Sequence, residues 1–293
     1  MGKRRYSEAR QRVPIVSGIF YPDSRETLTN QLVSWELKEG LNTRSSGGQV
    51  IIAPHGAWNI SGNIAGAAFA STQANKAPVN EAPLNEPEAR GIRRVILLGP
   101  WHGSNEEGIY LSESVTFQTP LGNLPVDRKL NRELSSCSTL IRMNDIPHLS
   151  EHSLEVLLPL VKYCFSDVKI VPILASGDRP ALISGLARAL RVVLENYIEE
   201  SLFVISSNVS RNIDPALALS MAEEFRSVLL SMDTGTFLAC LAGGRISACA
   251  AALIASLLES GLLAGKRFSA LTPLAHGTEE DGETVYYGAF SCN

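Results

Sequence analysis

Most signatures that would name a function outright are missing from this chain. Its five cysteines (Cys137, Cys164, Cys240, Cys249 and Cys292) include no C-x-x-C pair and are odd in number. That excludes a zinc-ribbon or thioredoxin-like motif, and the thiols read as reduced. No apolar run is long enough for a bilayer, which takes about 20 residues; the longest weakly polar stretch, Ile246 to Leu258, falls short. No charged-then-apolar leader opens the sequence, so a soluble, cytoplasmic protein is expected. Basic residues are scattered, Lys3-Arg4-Arg5 being the one dense cluster, and the net charge is −4. No nucleic-acid footprint results. There is no phosphate-binding P-loop, no G-x-G-x-x-G after a strand and no G-x-S-x-G elbow. Nucleotide binding and serine-type nucleophilic catalysis therefore have little support.

What is present is ample apolar material: 45% of 293 residues. That suffices for one large core, and the reading is a single domain over 1–293. Residues 1–12 read as an N-terminal tail. Residues 72–91, rich in Asn, Pro, Ala and Glu without periodicity, read as an exposed insertion. Strand-like runs at 13–20, around His55, before His102, at 168–174, 202–206 and 285–290 alternate with helical patterns. The helices are expected over 24–37, 61–71, 127–134, from 151 onward, 179–197, 215–230 and 247–258. Short strand-like pieces lie at 108–111 and 115–118, followed by a turn at 119–122. This alternation predicts an α/β/α sandwich with a mostly parallel central sheet.

Two segments stand out. Ile51-Ile52-Ala53-Pro54-His55-Gly56-Ala57-Trp58 and Val95-Ile96-Leu97-Leu98-Gly99-Pro100-Trp101-His102-Gly103 both run from a buried strand into a loop carrying one imidazole. Open α/β sheets hold ligands at that carboxyl edge, so His55 and His102 are expected to share a pocket. Each is also readable as a hydrogen-bonded structural histidine. His152, between Glu151 and Ser153, stands at a helix start where its neighbours serve as capping groups. His148 and His276 read as solvated. Ser206-Ser207-Asn208-Val209-Ser210-Arg211 follows a buried strand and puts Asn208 and Arg211 at the same sheet edge.

Taken together these motifs resemble the Memo family, also called AmmeMemoRadiSam system protein B. Pro54-His55-Gly56-Ala57 with Ser61-Gly62 resembles its P-H-A-G-Y-x-x-S-G motif, and Leu98-Gly99-Pro100-Trp101-His102 its L-G-P-x-H motif. Gly18 to Pro22, Thr119 to Gly122 with Val126-Asp127, Glu151 to Val156 and Ile170 to Leu174 are collinear matches, from about residue 13 to 290. The resemblance implies the fold of class III extradiol (LigB-type) dioxygenases. It also implies that His55 and His102 are metal ligands and His152 a pocket-wall histidine. Radical-SAM and Ammecr-type companion proteins are implied as partners by family association.

Departures from the family fall on the remaining positions. The family's S-S-D-x-S-H segment carries Asn208 and Arg211 here, and its C-G-x-x-P-I cysteine is aligned with Ala242, Cys240 lying two residues early. An arginine cannot act as a general base. Turned inward at about 6 Å from a dication, it would be repelled by about 5 kcal/mol at an effective dielectric of 20. The sequence therefore reads first as a degenerate metal site with no cofactor expected. On that reading the protein is non-catalytic, binding a small anionic ligand or peptide in a pocket of His55, His102, His152 and Arg211. The alternative is an active oxidoreductase holding iron, copper or zinc on His55 and His102, with Cys240 or Glu151 as third ligand.

Overall fold

Val, Ile and Leu runs that the sequence marks as strands form the middle of the molecule. The computed structural model describes residues 10–35, 37, 50–72, 91–103, 106–279 and 281–293; the expected insertion at 72–91 and the Lys3-Arg4-Arg5 cluster lie almost wholly outside them. The early strands are Gln11–Arg12 (β1), Val50–Ala53 (β2), Arg94–Pro100 (β3), Gly108–Leu111 (β4), Thr116–Thr119 (β5), Gly122–Pro125 (β6) and Ile141–Met143 (β7). Lys169–Ser176 (β8), Ser201–Ser206 (β9), Ser210–Asn212 (β10), Phe268–Ala270 (β11), Ala275–Thr278 (β12), Thr284–Tyr287 (β13) and Phe290–Cys292 (β14) follow. Helices span Arg25–Ser34 (α1), Trp58–Ser71 (α2), Arg128–Ser136 (α3), Ile146–Ser150 (α4) and Leu158–Cys164 (α5). The last four are Pro180–Leu194 (α6), Pro215–Ser231 (α7), Thr234–Ala242 (α8) and Ala251–Glu259 (α9).

Eight strands make the main sheet in the order β11-β14-β2-β9-β3-β8-β4-β7. Its centre, β2-β9-β3-β8, is parallel throughout, while β14 and β4 join it antiparallel. Successive side chains of a strand point to opposite faces. Val50, Ile52, Ile96 and Leu98 accordingly pack with Leu186 of α6, Phe225 of α7 and Leu253 of α9. Ile51, Ala53, Val95 and Leu97 pack on the other face with Leu28 of α1, Phe69 of α2 and Val161 of α5. A sheet covered on both sides needs unbroken apolar strands, and these are buried almost end to end. The expected α/β/α layering is what the structure shows. No described helix is long and apolar enough to cross a membrane.

Several local expectations need correction. Residues 13–20 form no strand; Ser17 and Tyr21 make an isolated bridge. Pro14 has no N–H for a ladder, Gly18 turns the chain at φ 79°, and Ile15 and Val16 give their N–H groups to the Glu155 carboxylate. Residues 11 and 12, read as tail, pair with β5, and Arg12 is buried. Its guanidinium can be there because Glu155 and the carbonyls of His148 and Glu151 receive it. His148 is buried too, facing the Tyr110 carbonyl through Nε2, instead of being solvated. Residues 151–153 are a loop, and α5 begins only at Leu158. The closing strand divides at Gly288, its halves entering different sheets. The last expected helix starts at Ala251, four residues later than read, which leaves Cys249 in the loop before it.

Candidate metal centre

Two residues past the ends of β2 and β3 stand His55 and His102, and β9 lies between those strands. The parallel order delivers both imidazoles to one edge, with ring centroids 5.3 Å apart. His152 completes a triangle, 5.9 Å from His55 and nearly parallel to His102 at 5.6 Å. It reaches the edge because its loop is docked on the end of β3. Ser153 donates to the Pro100 carbonyl at 2.7 Å. A Cβ at Gly99 would fall 2.6 Å from Leu154 Cδ2, so only glycine permits that approach.

His55 and His102 each have one ring nitrogen committed. His55 Nδ1 lies 2.9 Å from Ser206 Oγ, whose single proton goes to the Ser153 carbonyl at 2.5 Å. The hydroxyl must therefore accept from His55, which places the proton on Nδ1 and leaves Nε2 as a free lone pair. Burial above all, and then His102 and His152, hold His55 well below the ordinary histidine range, so it is neutral. His102 turns Nδ1 to the Glu151 carboxylate at 3.1 and 3.2 Å. Nε2 is the ring atom left to face Cys249. Burial disfavours a charge on His102, but hydrogen bonds to Cys249 and Glu151 outweigh it and push the group up to about 10. Burial would likewise raise Glu151, yet its bonds to His102 pull it down to about 2. His152 lies below the usual range through burial and the neighbouring His102.

Cys249, which the sequence did not single out, stands beside the two imidazoles. Its Sγ and a ring nitrogen each from His55 and His102 lie within 4.8 Å of one another. Ala242, aligned with the third-ligand position, is exposed at the end of α8, and Cys240 is buried away from the site against Glu224 and Arg245. The segment Cys249-Ala250-Ala251-Ala252-Leu253-Ile254 keeps the cysteine and isoleucine of C-G-x-x-P-I at their spacing but has lost its glycine and proline. Those two losses hid it. His102, Glu151 and His152 form a second compact group. There, however, the Glu151 oxygens are already filled by the main-chain N–H groups of His102, His152 and Ser153. Glu151 is an orienting acceptor for His102 rather than a vacant ligand.

The segment after β9 ties the centre together. Asn208 Oδ1 accepts the His55 N–H at 3.2 Å, its carbonyl accepts the Cys249 N–H at 3.3 Å, and Ser207 Oγ accepts the Ala250 N–H at 3.0 Å. Arg211 does not face the imidazoles with a free charge. It pairs with Glu283, Asp281 at 3.4 Å and Glu279 at 3.5 Å on the β12–β13 hairpin. These carboxylates offset the charge of Arg211, which lines the same cavity as His102 and Cys249. A cavity of about 560 Å³ adjoins the centre, lined among others by Trp101, His102, Arg211, Ser247, Cys249 and Leu253. His276 lies on β12, exposed as expected and outside this group.

A family model described as Memo-like protein matches residues 12–287. A MEMO1 family protein of Pyrobaculum aerophilum is 27% identical over 96% of this chain and 98% of its own length. One from Thermotoga neapolitana is 25% identical over 94% and 95%, and one from Saccharolobus solfataricus 26% identical over 92% and 93%. Among solved structures, an uncharacterized protein from Escherichia coli K12 aligns with a TM-score of 0.45 at 16% identity, covering 68% of this chain and 86% of that one. With its motifs in order and the family match spanning nearly the whole fold, the chain belongs to the Memo-like family.

Proposed function

We propose that this protein binds a transition-metal ion through His55 Nε2, His102 Nε2 and the Cys249 thiolate, as a metal-dependent member of its family. One observation carries the reading: three donor atoms of the right chemistry within 4.8 Å of one another, two of them on rings whose other nitrogen is already committed. A ligating histidine ordinarily gives its second N–H to a carboxylate or carbonyl, which fixes the tautomer. Glu151 does this for His102. Ser206 does it for His55, passing the bond on to the Ser153 carbonyl. The degenerate, non-catalytic reading rested on a missing anionic ligand; Cys249 is a candidate for that ligand, and this favours the metal-dependent alternative.

Two imidazoles and a thiolate suit iron, copper or zinc better than magnesium or calcium, which prefer oxygen. When bound, such an ion supplies Lewis-acid chemistry, and iron or copper supplies electron transfer as well. The chain's own contribution is orientation and enclosure. Ser206 and Glu151 aim the two rings, Asn208 and Ser207 anchor the Cys249 loop to the His55 loop, and His152 walls the approach. An oxidoreductase therefore requires iron or copper, since zinc has no redox chemistry here. Five free thiols fit a reducing compartment such as the cytoplasm.

The test is metal analysis of protein purified without a histidine tag. About one equivalent of iron, copper or zinc is expected, lost in His55→Ala, His102→Ala and Cys249→Ala but kept in Cys240→Ala. Absence of bound metal after incubation with each ion, or full retention in Cys249→Ala, overturns the proposal.

A further inference from the structure

Asn208 touches both halves of the centre and carries a donor that no described residue uses. Its Oδ1 takes the His55 N–H and its main-chain carbonyl the Cys249 N–H, so the side chain is held against both ligand-bearing loops. The first of these bonds sets which way the amide faces, oxygen toward His55 and nitrogen away from it. The residue is only 6% exposed. Yet among the described residues Nδ2 has no hydrogen-bond partner, and it is not one of the polar atoms sealed from solvent. Buried amide donors are nearly always satisfied, because leaving one unmet costs free energy.

Several other candidates for ligand recognition around the centre are already engaged. The Nδ1 atoms of His55 and His102 are committed to Ser206 and Glu151. Arg211, the natural choice for an anion, is surrounded by three carboxylates. An anionic ligand is therefore not recognised through Arg211. Trp101 Nε1 is unpartnered as well but sealed from solvent, whereas Asn208 offers a neutral, oriented N–H donor on the residue that holds the His55 and Cys249 main chains.

We propose that Asn208 Nδ2 is the ligand-selecting donor of this site, bonding an acceptor oxygen of a small carboxylate or carbonyl compound. The ligand's other anchor rests on the metal reading above, but this hydrogen bond needs no metal. A carboxylate at position 208 would keep the bond to His55 N–H while meeting the ligand oxygen with lone pairs and like charge. Asn208→Asp is therefore a nearly isosteric change that separates holding the loop from selecting the ligand.

The experiment titrates formate into 15N-labelled protein, zinc-loaded and metal-free, following the Asn208 side-chain NH2 pair. That pair is identified by its absence from the Asn208→Asp spectrum. A saturable shift of the pair is expected, with formate binding to the metal-free protein weakened about tenfold or more in Asn208→Asp. A pair that does not move in either form, or equal formate affinity in both proteins, overturns the assignment. Failure of zinc to load would remove the metal reading alone, since the metal-free titration still decides whether Asn208 recognises the ligand.

Discussion

Ser206 uses one hydroxyl for two purposes, accepting from His55 Nδ1 and donating to the Ser153 carbonyl. Removing it leaves the His55 ring free to choose its tautomer and rotate. Ser206→Ala should therefore weaken zinc binding about 10–100-fold, the usual cost of losing an outer partner of a ligand histidine. Competition against a chromogenic chelator measures it, and unchanged affinity would show that Ser206 does not orient the ring. At this scale legibility was uneven. His55 and His102 stand at the ends of apolar runs, where strand chemistry and loop chemistry meet, and both are readable directly. Cys249 is not, because Ala250 and Leu253 replace the glycine and proline that would mark its surroundings. Nor is the part played by Ser206, which depends on β9 lying between β2 and β3, a fact of sheet order that no local pattern carries.

Elements whose hydrogen bonds are local were read well, and those held by distant side chains were not. The starts of α1 and α3, expected at residues 24 and 127, are fixed within one turn by the Ser24 and Asp127 side chains, which accept the Thr27 and Leu130 N–H groups. The segment from Arg12 to Tyr21 has the composition of a strand but the role of a strap. Glu155 collects the Arg12 guanidinium, the Ile15 and Val16 N–H groups and the Tyr21 hydroxyl, across about 140 residues of chain. Both members of the ion pair are almost fully buried. A buried pair need not stabilise relative to an apolar replacement, but losing one partner strands the other's charge. Arg12→Ala should thus lower unfolding stability by about 3–5 kcal/mol in urea titrations. Because Phe20, on this strap, meets His152 edge-on at 5.0 Å, the same change should also disturb the site. A loss below about 1 kcal/mol would mean the pair is exposed in solution.

For the molecule as a whole, alternation of apolar strands with helices made the layers legible and put His55 and His102 at one edge, while the strand order required the assembled sheet. That cluster and His148 together shape stability against pH. His148 is neutral in the native protein, since burial lowers it to about 4. Its ring sits with Nε2 against the Tyr110 carbonyl and Nδ1 without a partner among the described residues. Unfolding restores it to the ordinary value near 6.5, so between those values the unfolded chain binds the extra proton. Stability therefore falls as pH drops from about 6.5 to 4, by about 3 kcal/mol from this residue alone. His55 and His152, lowered in the same direction, steepen that fall. Glu151, held at about 2 in the native state, extends it below pH 4.5, where the unfolded carboxylate protonates first. His102 acts oppositely: raised to about 10, it contributes stability that is complete below 6.5 and lost as pH climbs toward 10. Metal-free protein should accordingly be most stable near pH 6.5–7. Urea midpoints measured from pH 4 to 9 test this, and His148→Gln, whose amide can still donate to the Tyr110 carbonyl, should flatten the acid limb by about 3 kcal/mol. Midpoints that stay level from pH 7 to 4.5 would mean that His148 is as accessible unfolded as folded, and that the buried environment drawn for it is wrong.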